Sequence, residues 1–208
     1  MTQGPFRLLH VGCGRKNSTN LPPPFDQPSW QEIRLDIDPS VEPDIVASIT
    51  DMRAVENGAM HALWSAHNLE HLYAHEVPAA LSEFARVVVP NGFVVITVPD
   101  LQMIAESIAA GNLTEQAYLS PAGPVAPIDM LYGFRPSLAD GRLTMAHRTG
   151  FTAGSLERAL YRAGFETVAA RPDRFWALWA VASRSAEDAE RVRLLAEDLA
   201  HRAHPANM

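Results

Sequence analysis

Three groupings of residues in this 208-residue chain have types and spacings suited to chemistry. The first is Gly12-Cys13-Gly14, which follows the short apolar run of Leu8, Leu9 and Val11 and precedes Arg15 and Lys16. Two glycines flanking one small residue let backbone approach a ligand closely, because no Cβ intervenes. The second is Asp36, in the stretch IRLDIDP and 22 positions beyond Gly14. A carboxylate at the tip of a strand can accept both hydroxyls of an adenosine ribose, which points to a nucleoside-containing cofactor. The third is the set His67, Glu70, His71 and His75, spelled H-x-x-E-H-x-x-x-H. On a helix starting near Leu69, His71 and His75 would lie one turn apart on the same face, as metal ligands can. Such spacing arises easily in a helix, so no metal is assigned to it.

The elements that must position these groups follow from the hydrophobic pattern. Leu8 to Val11 and Ile33 to Asp36 read as strands, and so do Asp44 to Ala47 (short and buried) and Ala62 to Ser65. Residues 69–88 have helical periodicity through Leu69, Leu72, Ala80, Leu81, Phe84 and Val88, with Pro78 inside as a kink or a break into two helices. Pro90-Asn91-Gly92 reads as a turn before the apolar strand Phe93 to Val98. Gln102 to Ala110 is helical. Ser155 to Ala163 is a helix closed by Gly164, and Glu166 to Ala170 with Phe175 to Ala182 forms a hairpin around Pro172-Asp173. Alternation this regular predicts an α/β domain with a mostly parallel sheet covered by helices on both faces. Residues 101–150 break the rhythm and read as a substrate-side wall or lid. The tail, 184–208, carries an apolar stripe at Val192, Leu195, Ala196, Leu199 and Ala203, able to pack on the domain or on a second subunit in a homodimer. The whole is one domain, 1–208.

Composition narrows the classes. Apolar content of 47% and charged content of 20% are ordinary for a globular protein, and no apolar run approaches the ~18 residues of a membrane span. The N-terminus lacks a secretory pattern, so a cytoplasmic location is expected. One cysteine excludes an internal disulfide and a cysteine-rich zinc site. A net charge of −7 argues against bulk nucleic acid as a partner. Prolines at 22, 23, 24 and 28 exclude a regular helix soon after the glycine turn, and Asn17 stands where a third glycine of G-x-G-x-x-G would fall. A dinucleotide needs that helix N-terminus for its pyrophosphate. A phosphate-free nucleoside cofactor does not, and S-adenosylmethionine (SAM) is one.

Taken together, HVGCG, LDIDP, SITDM, AHNLEHL, EFARVVVPNGFVVITVPD and GFTAGSLERALYRAGF resemble, in order and spacing, the motifs of class I SAM-dependent methyltransferases over about 7–100 and 150–183. The closest likeness is to type 11-like variants with a GCG loop. The resemblance implies a Rossmann-like sheet with a C-terminal antiparallel hairpin. It implies cofactor contacts from His10, Gly12, Cys13, Gly14, Asp36, Ile37, Ser48, Ile49, Asp51, His67 and Asn68. His10 and Ser48 depart from the family, which usually has acids there. Cys13 reads as a small filler rather than a nucleophile. If the acceptor needs a base, His71, His67 or His147 is expected to serve, with Tyr132 a further pocket residue. The acceptor is expected to be a small molecule or carbohydrate-like precursor. The alternatives are a non-catalytic SAM-binding or interaction protein and, less favoured, a nicotinamide-dependent oxidoreductase.

Overall fold

The computed structural model describes residues 5–16 and 21–203. Asn17 lies outside the described residues. Strand β1 (Phe6–Val11) runs parallel to β2 (Trp30–Asp36), with Val11 opposite Leu35. β3 (Ile45–Val46) continues that edge, and β4 (Met60–Ala66) pairs with β1 on its other side. Helix α1 (Val77–Val87) leads into β5 (Val88–Pro99) and α2 (Leu101–Ala109). A small hairpin of β6 (Tyr118–Ser120) and β7 (Gly123–Val125) follows, then the short helices α3 (Pro127–Tyr132) and α4 (Arg135–Ala139). The chain ends with α5 (Ala153–Arg162), β8 (Thr167–Pro172), β9 (Ala177–Ser183) and α6 (Ala189–Arg202). The main sheet has seven strands in the order β3-β2-β1-β4-β5-β9-β8, parallel except for β9, which is antiparallel to both its neighbours.

Both faces of the sheet are covered, as the strand composition demands. Val94, Val95, Ile96 and Val98 of β5 are all buried, the mark of a strand with packing on each side. One face carries Ala80, Leu81 and Phe84 of α1 with Leu156 and Leu160 of α5. The other carries Val192, Ala196 and Leu199 of α6 together with Phe25 and the stacked Trp64 and Trp179, 5.6 Å apart. The stripe on the tail is therefore spent on this domain's own sheet. Each of the buried Val, Leu and Phe side chains contributes about 1.5–3 kcal/mol. No helix is long and apolar enough to cross a membrane among the described residues.

Local chemistry sets the element ends that frame the site. Asp100 caps α2 by accepting from the Gln102 amide at 2.9 Å. Thr152 and Ser155 cap α5 reciprocally, and Gly164 closes that helix at φ +96°. The buried carboxylate of Asp173 shapes the β8–β9 turn by accepting from the amides of Phe175 and Ala177 and from the Trp179 indole.

Five expectations from the sequence differ from the structure. Residues 69–76 are not helical: Leu69–His71 is a single 3₁₀ turn, Leu72 is extended, and α1 begins at Val77. Pro78 sits in the first turn of α1, where a missing amide costs nothing, so it starts the helix rather than kinking it. Pro90 to Gly92 is not a turn between elements but a bulge within β5; Met60 and Ala62 of β4 face Val88 and Phe93. The strand at Asp44 to Ala47 shrinks to two residues and is not buried, with Val46 at the sheet edge 57% exposed. Residues 101–150 are more ordered than expected, since α2, β6, β7, α3 and α4 gather around a small core of Ile104, Val125 and Met130.

Candidate functional site

Two clefts open along the carboxyl ends of the parallel strands and meet at His71. The first, about 230 Å³, is lined by Gly12, Leu35, Asp36, Ile37, Ala47, Ser48, Ile49, Asn68, His71, Leu72, Thr144 and Arg148. Its floor is the turn after β1. Gly12 has φ +60°, and a Cβ there would fall 1.8 Å from Asn68 Oδ1. The Asn68 amide occupies that space and donates to Val11 O at 3.0 Å, so the bare backbone and the asparagine lock each other. Across the cleft, Asp36 Oδ2 accepts from the Gly14 amide and Oδ1 from the Asp38 amide, both at 2.9 Å. Each oxygen keeps a lone pair, so the carboxylate is held in place yet still able to accept hydroxyls. Arg34, buried in β2, ties the segments after β1 and β2 together behind this cleft by donating to the carbonyls of Gly14 and Glu42.

The second cleft, about 280 Å³, is walled by His67, Glu70, His71, Pro99, Tyr118, Met130, His147, Phe175 and Trp176, among others. The segment carrying His147 is stapled over the 3₁₀ turn, because Arg148 N donates to Glu70 O at 2.7 Å and Arg148 Nη1 to His71 O at 3.0 Å. His71 and His147 meet edge to face, 5.0 Å between ring centres. His71 Nδ1 lies 3.2 Å from Ala146 O and His147 Nδ1 2.7 Å from Met130 O. His67, at φ +50°, lies 3.2 Å through Nδ1 from Glu70 Oε1. Glu70 is 1% exposed. Burial pushes its carboxyl up, but the hydrogen bond from His67 and the imidazoles of His71 and His147 more than offset this and hold it below its usual range. Burial pushes His147 down, towards the neutral ring, against the pull of Glu70. Tyr118 is pushed up to about 12 by burial and by the negative charges of Asp173 and Asp129, so it stays a phenol.

Of the cofactor residues expected from sequence, Gly12, Asp36, Ile37, Ser48, Ile49 and Asn68 line the first cleft. Gly14 stands behind it through its amide on Asp36. Cys13 is buried beside it, with burial the main cause of a thiol pKa raised to about 11, in keeping with a filler. His10 is buried in β1 against Glu32, 2.7 Å away, and does not line the cleft. Asp51 points outward to Arg53 at 2.7 Å. His67 lines the second cleft instead, together with His71 and His147. His75 is apart from them, stacked on Tyr73, and Tyr132 is 60% exposed. Sequence reasoning missed Thr144, Arg148, Trp176 and the bracing Arg34; only Arg34 left a signal, as a charge within an apolar strand.

Residues 9–96 match a family described as a methyltransferase domain. No curated protein matches the chain in sequence. Among solved structures, the chain is similar to the CMeT domain of the citrinin polyketide synthase, at 16% identity and TM-score 0.56, covering 87% of this chain and 47% of that one. It is similar to a SAM-dependent methyltransferase from Archaeoglobus fulgidus, at 15% identity and TM-score 0.55, covering 86% of each. A third likeness is to 1,6-didemethyltoxoflavin-N1-methyltransferase of Burkholderia thailandensis, whose structure contains 1,6-didemethyltoxoflavin and S-adenosylhomocysteine. That match has 13% identity and TM-score 0.52, over 86% of this chain and 70% of that one. The chain thus spans about half the length of the first and most of the other two.

Proposed function

We propose that this chain, which has the fold of the class I SAM-dependent methyltransferases and carries a methyltransferase domain over residues 9–96, transfers a methyl group from SAM to a small-molecule or carbohydrate-like acceptor. The observation that carries the reading is the Asp36 carboxylate, fixed by two amides at the rim of a cleft whose opposite wall is bare glycine backbone. The fit is to a nucleoside without phosphates. Residues 21–29 contain no helix, so among the described residues nothing offers the helix N-terminus that a pyrophosphate would need after the glycine turn. Asp36 would hold the ribose diol, Ile37 and Ile49 would flank the adenine, and the backbone at Gly12 would face the methionine part.

When bound, SAM supplies a methyl group on a positively charged sulfur, already activated for transfer. The protein's task is then chiefly alignment, which can supply ~7 kcal/mol or more. Pro99, Tyr118, Met130, Phe175 and Trp176 give the second cleft an apolar wall that would exclude water and orient a flat or ring-shaped acceptor. His71 stands where the clefts meet, with His67 and His147 beside it in the second, and with no cation bound these imidazoles are the candidates to take a proton from the acceptor. Residues 101–150 are the acceptor-side insertion and 184–208 the closing tail of one domain, 1–208. The reading includes a cytoplasmic location.

Calorimetric titration with SAM, S-adenosylhomocysteine and NADH tests it. The first two should bind the wild type and bind Asp36→Ala at least about 100-fold more weakly, while NADH should bind neither. Binding of NADH in preference to SAM would reverse the assignment.

A further inference from the structure

We infer that Glu70, His71 and His147 bind a divalent transition-metal ion at the seam of the two clefts. One ligand atom from each of the three lies within 4.8 Å of the others, although His147 comes from a distant segment of the chain. The hydrogen bonds behind the two rings fit ligating imidazoles. A carbonyl oxygen can only accept, so the nitrogens facing Ala146 O and Met130 O are the protonated ones. That leaves Nε2 of both rings with a free lone pair and its tautomer fixed from behind, as in known metal sites. Glu70 supplies the independent sign. It is 1% exposed, its Oε1 faces His67, and its Oε2 has no hydrogen-bond partner among the described residues. His67 Nε2, in the same wall, is a second buried atom without a partner among them. A buried carboxylate oxygen left unpaired is costly, and a cation would satisfy it.

Two imidazoles and one carboxylate suit Zn²⁺, Co²⁺, Fe²⁺ or Mn²⁺ and leave coordination positions open. Zinc ligands about 2.1 Å from the ion stand roughly 3.4 Å apart, so the cage must draw in by about an ångström. That adjustment falls to the side chains of His71 and His147, since Arg148 ties the two backbone segments together through the carbonyls of Glu70 and His71. The sequence assigns no metal to this stretch, and its helical spacing sets His71 with His75; in the structure Glu70 and the distant His147 stand beside His71 instead. It also deepens the methyltransferase reading, on which this consequence rests. An acceptor hydroxyl coordinated there would give up its proton to solvent, its oxygen would bond to the methyl carbon, and the carbon–sulfur bond would break with its electron pair going to sulfur.

The test uses the full chain, freed of metal by chelator and dialysis and titrated with Co²⁺ and Zn²⁺, followed by calorimetry and by the visible absorption of bound cobalt. One ion per chain is expected. His147→Ala and Glu70→Gln should each weaken binding by more than the roughly 10–100-fold that loss of a merely supporting partner costs. His75→Ala should bind as the wild type does. Thermal unfolding screens the variants, and His147→Ala carries the result if Glu70→Gln fails to fold. No binding by the wild type, or wild-type binding by His147→Ala, overturns the site. SAM affinity measured on the same samples keeps the two claims separate: metal without SAM would sink the methyltransferase reading alone, and SAM without metal this inference alone.

Discussion

The two clefts that meet at His71 are built by different means. The first draws on the ends of β1 to β4, with Thr144 and Arg148 at its edge, and its most firmly fixed polar group is one carboxylate already held from behind by two backbone amides. The second is half sheet edge and half residues 101–150, and its chemistry is imidazoles, a buried carboxylate and an apolar wall. A cleft of the first kind recognises one ligand shape through fixed geometry. One of the second kind can change its acceptor by changing a few side chains on a separately packed insertion, because Ile104, Val125 and Met130 give that insertion its own small core. On the proposed reading, cofactor identity and acceptor identity are set by different clefts, and substitutions should separate them.

The largest expected effect is on the cofactor side. Asp36→Ala would remove the two ribose hydrogen bonds proposed for this carboxylate, each worth about 1.5–3 kcal/mol to a charged group, and should weaken SAM binding at least about 100-fold by calorimetry. Gly12→Ala comes next. Its methyl must displace the Asn68 amide and adopt a left-handed backbone that costs about 1–2 kcal/mol. SAM affinity should fall roughly tenfold or more and the melting temperature should drop with it. On the acceptor side, Trp176→Ala removes an aromatic wall, so the acceptor KM should rise roughly tenfold while SAM affinity holds. A loss of SAM binding in that variant would show that the clefts are not independent.

Cys13 gives a smaller, pH-dependent check. Its neutral form is favoured in the folded chain, with a pKa of about 11 against 9.0 for an ordinary thiol. At pH 8 about one thiol in a thousand is ionised, so alkylation should be slow until the chain is unfolded. The stability this neutral thiol contributes is fully present below pH 9 and lost as pH rises to about 11, which denaturant midpoints across that range would show. Smallest of all, Arg53→Ala breaks only the exposed pair with Asp51 and should leave both melting temperature and SAM affinity unchanged.

The same contrast explains what was legible in the sequence. The ends of β1 and β2 follow from local apolar runs stopped by Gly12 and Asp36, and parallel pairing of Val11 with Leu35 then brings them together. The C-terminal hairpin and α5 announce themselves through Pro172, Asp173 and Gly164. Residues 69–76 do not, because Pro78 reads equally well as a kink or as a first-turn residue, and only packing chooses. The joining of Glu70 and His71 with His147 depends on backbone hydrogen bonds between distant segments, from Arg148 to Glu70 and from His147 to Tyr132, which no local pattern encodes. His10 reads as a loop-side contact until its partner Glu32, on the neighbouring strand, claims it.

The most direct measurement is a crystal structure of the full chain with S-adenosylhomocysteine. Both ribose hydroxyls should lie within hydrogen-bond distance of the Asp36 oxygens, the homocysteine end over Gly12, and the sulfur facing His71 and the second cleft. A ribose lying away from the tip of β2, with Asp36 touching only its own amides, would contradict it.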